Sequence, residues 1–146
     1  MEKILVLGSK GMLGLSLVSF LTKCNYELKT HSRRGKSDFV FDLLNYDSIV
    51  DAMGDYKPDV ILNLVANTSV DECEEFPALA YQCNALSVEN IVKWIQSSSS
   101  KTHLIHISTD QVYDGLGPHK EEEISLSNYY AYSKYIGEIS ARKVNS

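Results

Sequence analysis

The sequence predicts an α/β fold, a doubly wound parallel sheet with helices on both faces, on three observations. Short apolar runs recur between segments of helical periodicity, at "KILVLG", "DVILNLVA" and "HLIHIS". Strands that alternate with helices in this way need right-handed crossovers, and hence run parallel. Three glycines in "GSKGMLG" mark the first turn from strand to helix. With 146 residues, 44% of them apolar and 23% charged, the chain is one domain's worth and can bury a core without a staple.

The elements follow in order. "KILVLG" (3–8) is a short apolar run ended by glycine, the pattern of a strand buried on both faces. "MLGLSLVSFLT" (12–22) carries apolar residues at helical spacing, Tyr26 to Thr30 is the second strand, and "DFVFD" (38–42) the third. Asp47 to Met53 reads as a short helix stopped by Gly54, and Pro58 precedes the fourth strand in "DVILNLVA" (59–66). A long helical pattern runs from Pro77 to Gln96, "HLIHIS" (103–108) is the fifth strand, and "NYYAYSKYIGE" (128–138) opens the final helix. "SSSS" (97–100) is a loop between helix and strand, "KEEE" (120–123) a solvated acidic loop, and no internal repeat is present.

Composition removes several function classes. A net charge of −5 without a basic stripe argues against nucleic acid as partner. Cys24, Cys73 and Cys83 are odd in number and lack C-x-x-C spacing, so they read as reduced thiols. "MEKILVLG" enters a strand directly, without the basic and long apolar regions of a signal peptide. "VILNLVA", the longest apolar stretch, is too short to cross a bilayer, so no membrane partner is expected and a cytoplasmic address is.

The glycines are placed for a dinucleotide. At a turn of this kind Gly8 permits the tight bend, Gly11 lets the backbone approach a pyrophosphate, and Gly14 lets the helix pack closely on the sheet. The phosphates then sit on free N–H groups at the positive end of the helix dipole. The spacing is G-x-x-G-x-x-G, and no G-K-S/T follows, so a Walker A loop is ruled out. These features make the sheet Rossmann-type.

The second strand ends in "THSRR", without the carboxylate that NAD-preferring proteins place on the adenosine ribose. Arg33 and Arg34 can pair with a 2′-phosphate there, which favours NADP(H) with NAD(H) as the alternative; otherwise they are two solvated loop arginines. Asp42 either accepts from the adenine amino group or caps a turn. Ser108 and Thr109 leave the fifth strand at the carboxyl edge of the sheet, where a hydroxyl can bond a substrate carbonyl, although such a pair is also common in turns. His103 and His106 are not on one face and no H-E-x-x-H exists, so no metal is expected.

"NYYAYSKYIGE" offers three tyrosines to one lysine. In a helix only Tyr130, four positions before Lys134, shares its face. An ammonium beside a phenol stabilises the phenolate and brings its pKa down from about 10, which makes a general acid or base.

In their order, Gly8-x-x-Gly11-x-x-Gly14, Thr109 and Tyr130-x-x-x-Lys134 resemble an extended short-chain dehydrogenase/reductase, and within it the family of dTDP-4-dehydrorhamnose reductase and its relatives. The phrases that carry the resemblance, "GSKGMLG", "PDVILNLVANTSVDECE", "HISTDQVYDG" and "NYYAYSKYIGE", span nearly the whole chain. The resemblance implies that Thr109 orients a keto group, Tyr130 delivers the proton, and Lys134 lowers the tyrosine pKa and holds the nicotinamide ribose. It implies that Asn84 orders a water beside the lysine and that Ala66 and Asn67 form part of the cofactor wall. The candidate cofactor-binding set is therefore Gly8, Lys10, Gly11, Met12, Leu13 and Gly14; Ser32, Arg33 and Arg34; Asp42 and Leu43; Val65, Ala66 and Asn67; and Asn84, Ser108, Tyr130 and Lys134.

The reaction so implied is NADPH-dependent reduction of the C4 ketone of a nucleotide-linked deoxysugar. Related 4,6-dehydratases carry Asp-Glu after the Thr, whereas this sequence has Asp110 and Gln111, and an amide cannot donate the proton that a leaving hydroxide needs. Alternatives are a non-catalytic NADP-binding subunit similar to the β subunit of methionine adenosyltransferase, or an NAD-dependent sugar epimerase. The sequence departs from the family's pattern at Ala131, where Gly is usual, and at Leu126-Ser127, where Pro-Leu is usual. Family members run about twice this length. Since the chain ends at "ARKVNS", just past the helix bearing Lys134, residues 1–146 are expected to be the cofactor-binding domain without the substrate domain. The resemblance also allows a homodimer in the full-length protein.

Overall fold

The computed structural model describes residues 1–98 and 101–144. Five strands, β1 (Lys3–Leu7), β2 (Glu27–Ser32), β3 (Phe39–Val40), β4 (Val60–Asn63) and β5 (His103–His106), form one sheet in the order β3-β2-β1-β4-β5. Every pairing is parallel. The helices between and after them are α1 (Met12–Leu21), α2 (Tyr46–Tyr56), α3 (Val70–Glu75), α4 (Pro77–Tyr81), α5 (Ser87–Ser97) and α6 (Tyr129–Ala141). The strand order reverses at β1, which lies between β2 and β4, so a crevice opens beyond the carboxyl ends of β1 and β4. The fold is the Rossmann-type sheet that the sequence predicts.

Alternate residues of each central strand serve the two faces. Leu5, Leu7, Ile61 and Leu104 point into a core shared with Ile49 and Met53 of α2, Ile91 and Ile95 of α5 and Ala141 of α6. Ile4 and Val6 point the other way, onto Leu21, Leu17 and Val18 of α1. Full burial of such a side chain contributes about 1.5–3 kcal/mol, so β1, with Leu5, Val6 and Leu7 all inaccessible, anchors both layers.

The boundaries differ from expectation where side chains intervene. β2 runs past Thr30 to Ser32. The third strand is cut to Phe39–Val40, because Asp38 turns back to Thr30 and Lys29, while the Phe41 carbonyl accepts a hydrogen bond from His31 Nε2. α2 continues through Gly54, a cost of about 1 kcal/mol that its packing offsets, and stops where Lys57 turns left-handed (φ 47°) before Pro58. Tyr56 repays the extra turn: its hydroxyl donates to the Glu27 carbonyl at 2.6 Å. β4 ends at Asn63, whose side-chain oxygen accepts the Val65 N–H (3.1 Å) and bends the chain out of the ladder. β5 stops at His106. α3 was not expected. The helix foreseen from Pro77 to Gln96 is α4 and α5 joined by a π turn over Gln82–Leu86. Of the serine loop, Ser97 ends α5 and Ser98 caps it, while Ser99 and Ser100 lie outside the described residues.

Candidate active site

The glycine turn is held as its spacing demands. Gly8 has φ +77°, a conformation that side chains resist, and a Cβ on Gly14 would come within 2.5 Å of the Gly8 carbonyl oxygen. Gly11 begins α1 without a side-chain cap, so among the described residues no side chain caps the N–H groups of the first turn, those of Met12 and Leu13 among them; Gly11 lines the cleft, and Met12, Leu13 and Gly14 lie just beyond its lining. The side chains of Met12 and Leu13 point to solvent. What these two positions offer a ligand is backbone.

A cleft of about 760 Å³ runs from this turn along the carboxyl edge of the sheet. Gly8, Lys10, Gly11, Ser32, Arg33, Arg34, Asp42, Leu43, Val65, Ala66 and Asn67, all foreseen from the sequence, line it. Arg33 and Arg34 make no ion pair among the described residues. Asp38, the carboxylate of that loop, is engaged with Lys29 (3.2 Å) and Thr30 (2.7 Å), and these partners hold its pKa below the usual range despite the opposing effect of burial. The corner is therefore cationic. Asp42 caps a turn through Leu44 N–H (3.0 Å) and still borders the cleft, so both of its expected roles remain compatible. His31, Phe41 and Cys83 also line the cleft and were not foreseen; the His31 and Phe41 rings lie 4.3 Å apart. Burial keeps the Cys83 thiol above its ordinary pKa.

Asn84 sits inside the π turn, fully buried. Its carboxamide accepts from Asn67 N–H (2.7 Å) and donates to the Asn67 carbonyl (3.0 Å) and to Ser133 Oγ (2.9 Å). One side chain thus pins the wall after β4 to α6. Both amide hydrogens are spent on protein, so the amide has no donor left for a water.

α6 starts at Asn128, whose side chain accepts the Ala131 N–H at 2.7 Å, and Glu74 of α3 takes the Tyr129 N–H at 2.6 Å. Asn128 in turn donates to Gln111 Oε1 (3.1 Å), which ties the helix start to the 3-10 turn Asp110–Val112. Burial separates the three tyrosines: Tyr130 is 8% exposed, whereas Tyr129 and Tyr132 are 49% and 52% exposed. Lys134 is 3% exposed and donates to the Ile107 carbonyl. Desolvation brings its pKa from 10.5 down to about 8, partly opposed by Cys83 and Glu138.

Ser108 and Thr109 stand at the exit of β5 as expected. Ser108 Oγ donates to Glu138 Oε2 (2.9 Å), and Thr109 Oγ1 accepts the Gln111 N–H (3.2 Å), with a long 3.4 Å contact to Asp110. These two, with Tyr130, Lys134 and Asn84, lie beyond the lining of the 760 Å³ cleft. His106 packs beneath them. Its Nδ1 accepts from Asn63 Nδ2 (3.2 Å), so Nε2 carries the proton and is buried without a partner; desolvation, then Lys134, depress its pKa to about 4. Among the described residues, no cluster could hold a metal and no helix is long and apolar enough to cross a membrane.

The family model described as RmlD substrate binding domain matches residues 1–146. The chain is 34% identical to the dTDP-4-dehydrorhamnose reductase of Salmonella typhimurium over 92% of its own length and 45% of that protein's. It is 30% identical to methionine adenosyltransferase 2 subunit beta of Rattus norvegicus, covering 94% of this chain and 42% of that one. A dTDP-4-dehydrorhamnose reductase from Bacillus anthracis, solved in complex with NADP, superposes with a TM-score of 0.85 at 26% identity, over 99% of this chain and 51% of that one. The chain spans about half the length of the curated relatives it matches.

Proposed function

The chain belongs to the RmlD substrate binding domain family, and from that premise we propose that it is the cofactor-binding part of an NADPH-dependent reductase acting on the 4-keto group of a nucleotide-linked deoxysugar. The observation that carries the reading is that Tyr130 and Lys134, four residues apart on α6, are both buried, with Lys134 bonded to the Ile107 carbonyl two residues before Thr109 while Tyr130 packs on Cys73 and Ala80. The cleft supports the cofactor: a glycine-floored turn without a side-chain cap meets two arginines, unpaired among the described residues, where an acid would be needed for NAD. NADP(H) would lie along Gly8 to Gly14, with Arg33 and Arg34 on its 2′-phosphate, Asp42 and Leu43 at the adenine, and Val65, Ala66 and Asn67 as the wall. When bound, the nicotinamide supplies the hydride.

The chain's own residues supply orientation and a proton. Thr109 Oγ donates to the keto oxygen and polarises it. Tyr130 gives its hydroxyl proton to the same oxygen as the carbonyl becomes an alcohol, and the nearby lysine charge stabilises the phenolate left behind. Lys134 spends one donor on Ile107, which leaves two for the phenol and the ribose hydroxyls. Gln111 accepts from Asn128 and has no acidic proton, which disfavours elimination of water.

The test is NADPH oxidation by the full-length protein with dTDP-4-dehydrorhamnose. Tyr130→Phe should lower kcat by at least about 100-fold, the scale of one general acid, with NADPH affinity retained. Turnover unaffected by that change would sink the reading. A second reading, a non-catalytic NADP-binding subunit, is favoured by the 30% identity to methionine adenosyltransferase 2 subunit beta. Tight NADPH binding with no turnover of any keto sugar would select it.

A further inference from the structure

Tyr130, Lys134 and Glu138 follow one another at four-residue intervals along α6, and Arg142, its C-cap, continues the step: a phenol, an ammonium, a carboxylate and a guanidinium. The middle two grip consecutive residues at the exit of β5. Lys134 donates to the Ile107 carbonyl, and Glu138 Oε2 accepts from Ser108 Oγ at 2.9 Å. Thr109 is the next residue. Glu138 is also paired with Arg142, which holds its other oxygen outward. Nothing in the family resemblance or the glycine and tyrosine motifs assigns Glu138 a role.

We infer that Glu138 is a positioning residue, whose carboxylate fixes the Ser108 hydroxyl, and with it the place of Thr109, while supplying the counter-charge that keeps the buried Lys134 ammonium protonated at working pH. A lysine 3% exposed whose one hydrogen-bond partner among the described residues is a carbonyl is costly to charge. Two acidic groups offset that cost, Cys83 from the π turn and Glu138 from the next turn of α6. Burial raises the Cys83 thiol pKa and so disfavours its thiolate, which makes the Glu138 carboxylate, one turn along α6, the partner of interest. The other titratable groups around the site are Tyr130 on the same helix, His106 on β5, Asp110 on the 3-10 turn and Glu74 of α3 at the helix start. His106 is neutral above pH 5, so it adds no competing positive charge beside the ammonium. The catalytic meaning of the stripe rests on the reductase reading, but its electrostatics do not.

The test is an NMR titration of the Lys134 side chain in the 146-residue chain, with lysines labelled at Cε and Nζ and Lys134 assigned by its absence in Lys134→Met. Glu138→Gln should move the Lys134 midpoint down by about one pH unit, roughly tenfold less ammonium at a given pH above it, while Glu138→Asp restores most of the shift. A midpoint unchanged in Glu138→Gln, or Asp no better than Gln, overturns the inference. Should Glu138→Gln not fold, the exposed change Arg142→Ala serves instead: it frees Glu138 and should raise the midpoint, and an unchanged or lower value overturns the inference. Because the titration needs no turnover, a protein that fails the NADPH oxidation test can still show the Glu138 effect.

Discussion

A Cβ on Gly137 would overlap the main-chain oxygen of Asn84, so α6 and the π turn touch through a gap that only glycine leaves. Gly137→Ala must therefore push the helix that carries Tyr130 and Lys134 away from the residue that pins the cofactor wall. We expect a loss of about 1–3 kcal/mol in urea unfolding and weaker NADPH binding, measured on the same samples. Wild-type stability in Gly137→Ala would show that the two elements are not in contact.

Lys134 makes the fold more stable in base. Its folded pKa, about 8, lies below the unfolded value near 10.5, so between these the unfolded chain binds more protons and stability rises with pH. Lys134→Met should be more stable than wild type at pH 7, by about 1–3 kcal/mol, and should lose the rise between pH 8 and 10.5. Parallel unfolding curves at pH 7 and pH 10 decide this.

His106 does the corresponding thing in acid. With a folded pKa of about 4 against 6.5 when unfolded, its contribution is complete above pH 6.5 and is lost as pH falls to 4. Stability should drop by roughly 2–3 kcal/mol across that window, and His106→Gln should flatten the profile. A chemical-denaturation series at half-unit steps would expose a slope that the variant keeps, which contradicts the assignment.

At the cationic corner, Arg33→Ala with Arg34→Ala should weaken NADPH binding by about 10- to 100-fold and leave NADH nearly unchanged, the scale of one or two charge-assisted hydrogen bonds. Calorimetry with both nucleotides checks it. Equal losses for the two would place the arginines away from the 2′-phosphate.

Asn128→Ala removes both the cap on Ala131 N–H and the partner of Gln111, and should cost about 1–2 kcal/mol, with Asn128→Asp recovering the cap alone. Thermal unfolding of the three proteins measures the difference.

Much of the site was legible because its signals are local. Gly8 and Gly14 announce a tight turn and a close helix by being glycine, and the four-residue step from Tyr130 to Lys134 selects one tyrosine of three. Gly137 gave no comparable signal, since its reason lies across the fold at Asn84. The π turn was equally silent: one extra residue per turn leaves no trace in apolar periodicity, and only the three bonds of Asn84 explain it. The short third strand misled because Asp38 and Phe41 spend their polar groups on Thr30 and His31.

By itself the sequence determined the alternation of strand and helix, the floor of the cleft and the residues that share a helical face, because periodicity and spacing act within one element. Tertiary structure alone decided that Lys134 is dry and tied to Ile107, that Ser108 answers to Glu138, and that Asp38 is withdrawn from the cleft. Desolvation and hydrogen bonding between elements depend on how closely they approach, and no property of either partner's own segment sets that distance.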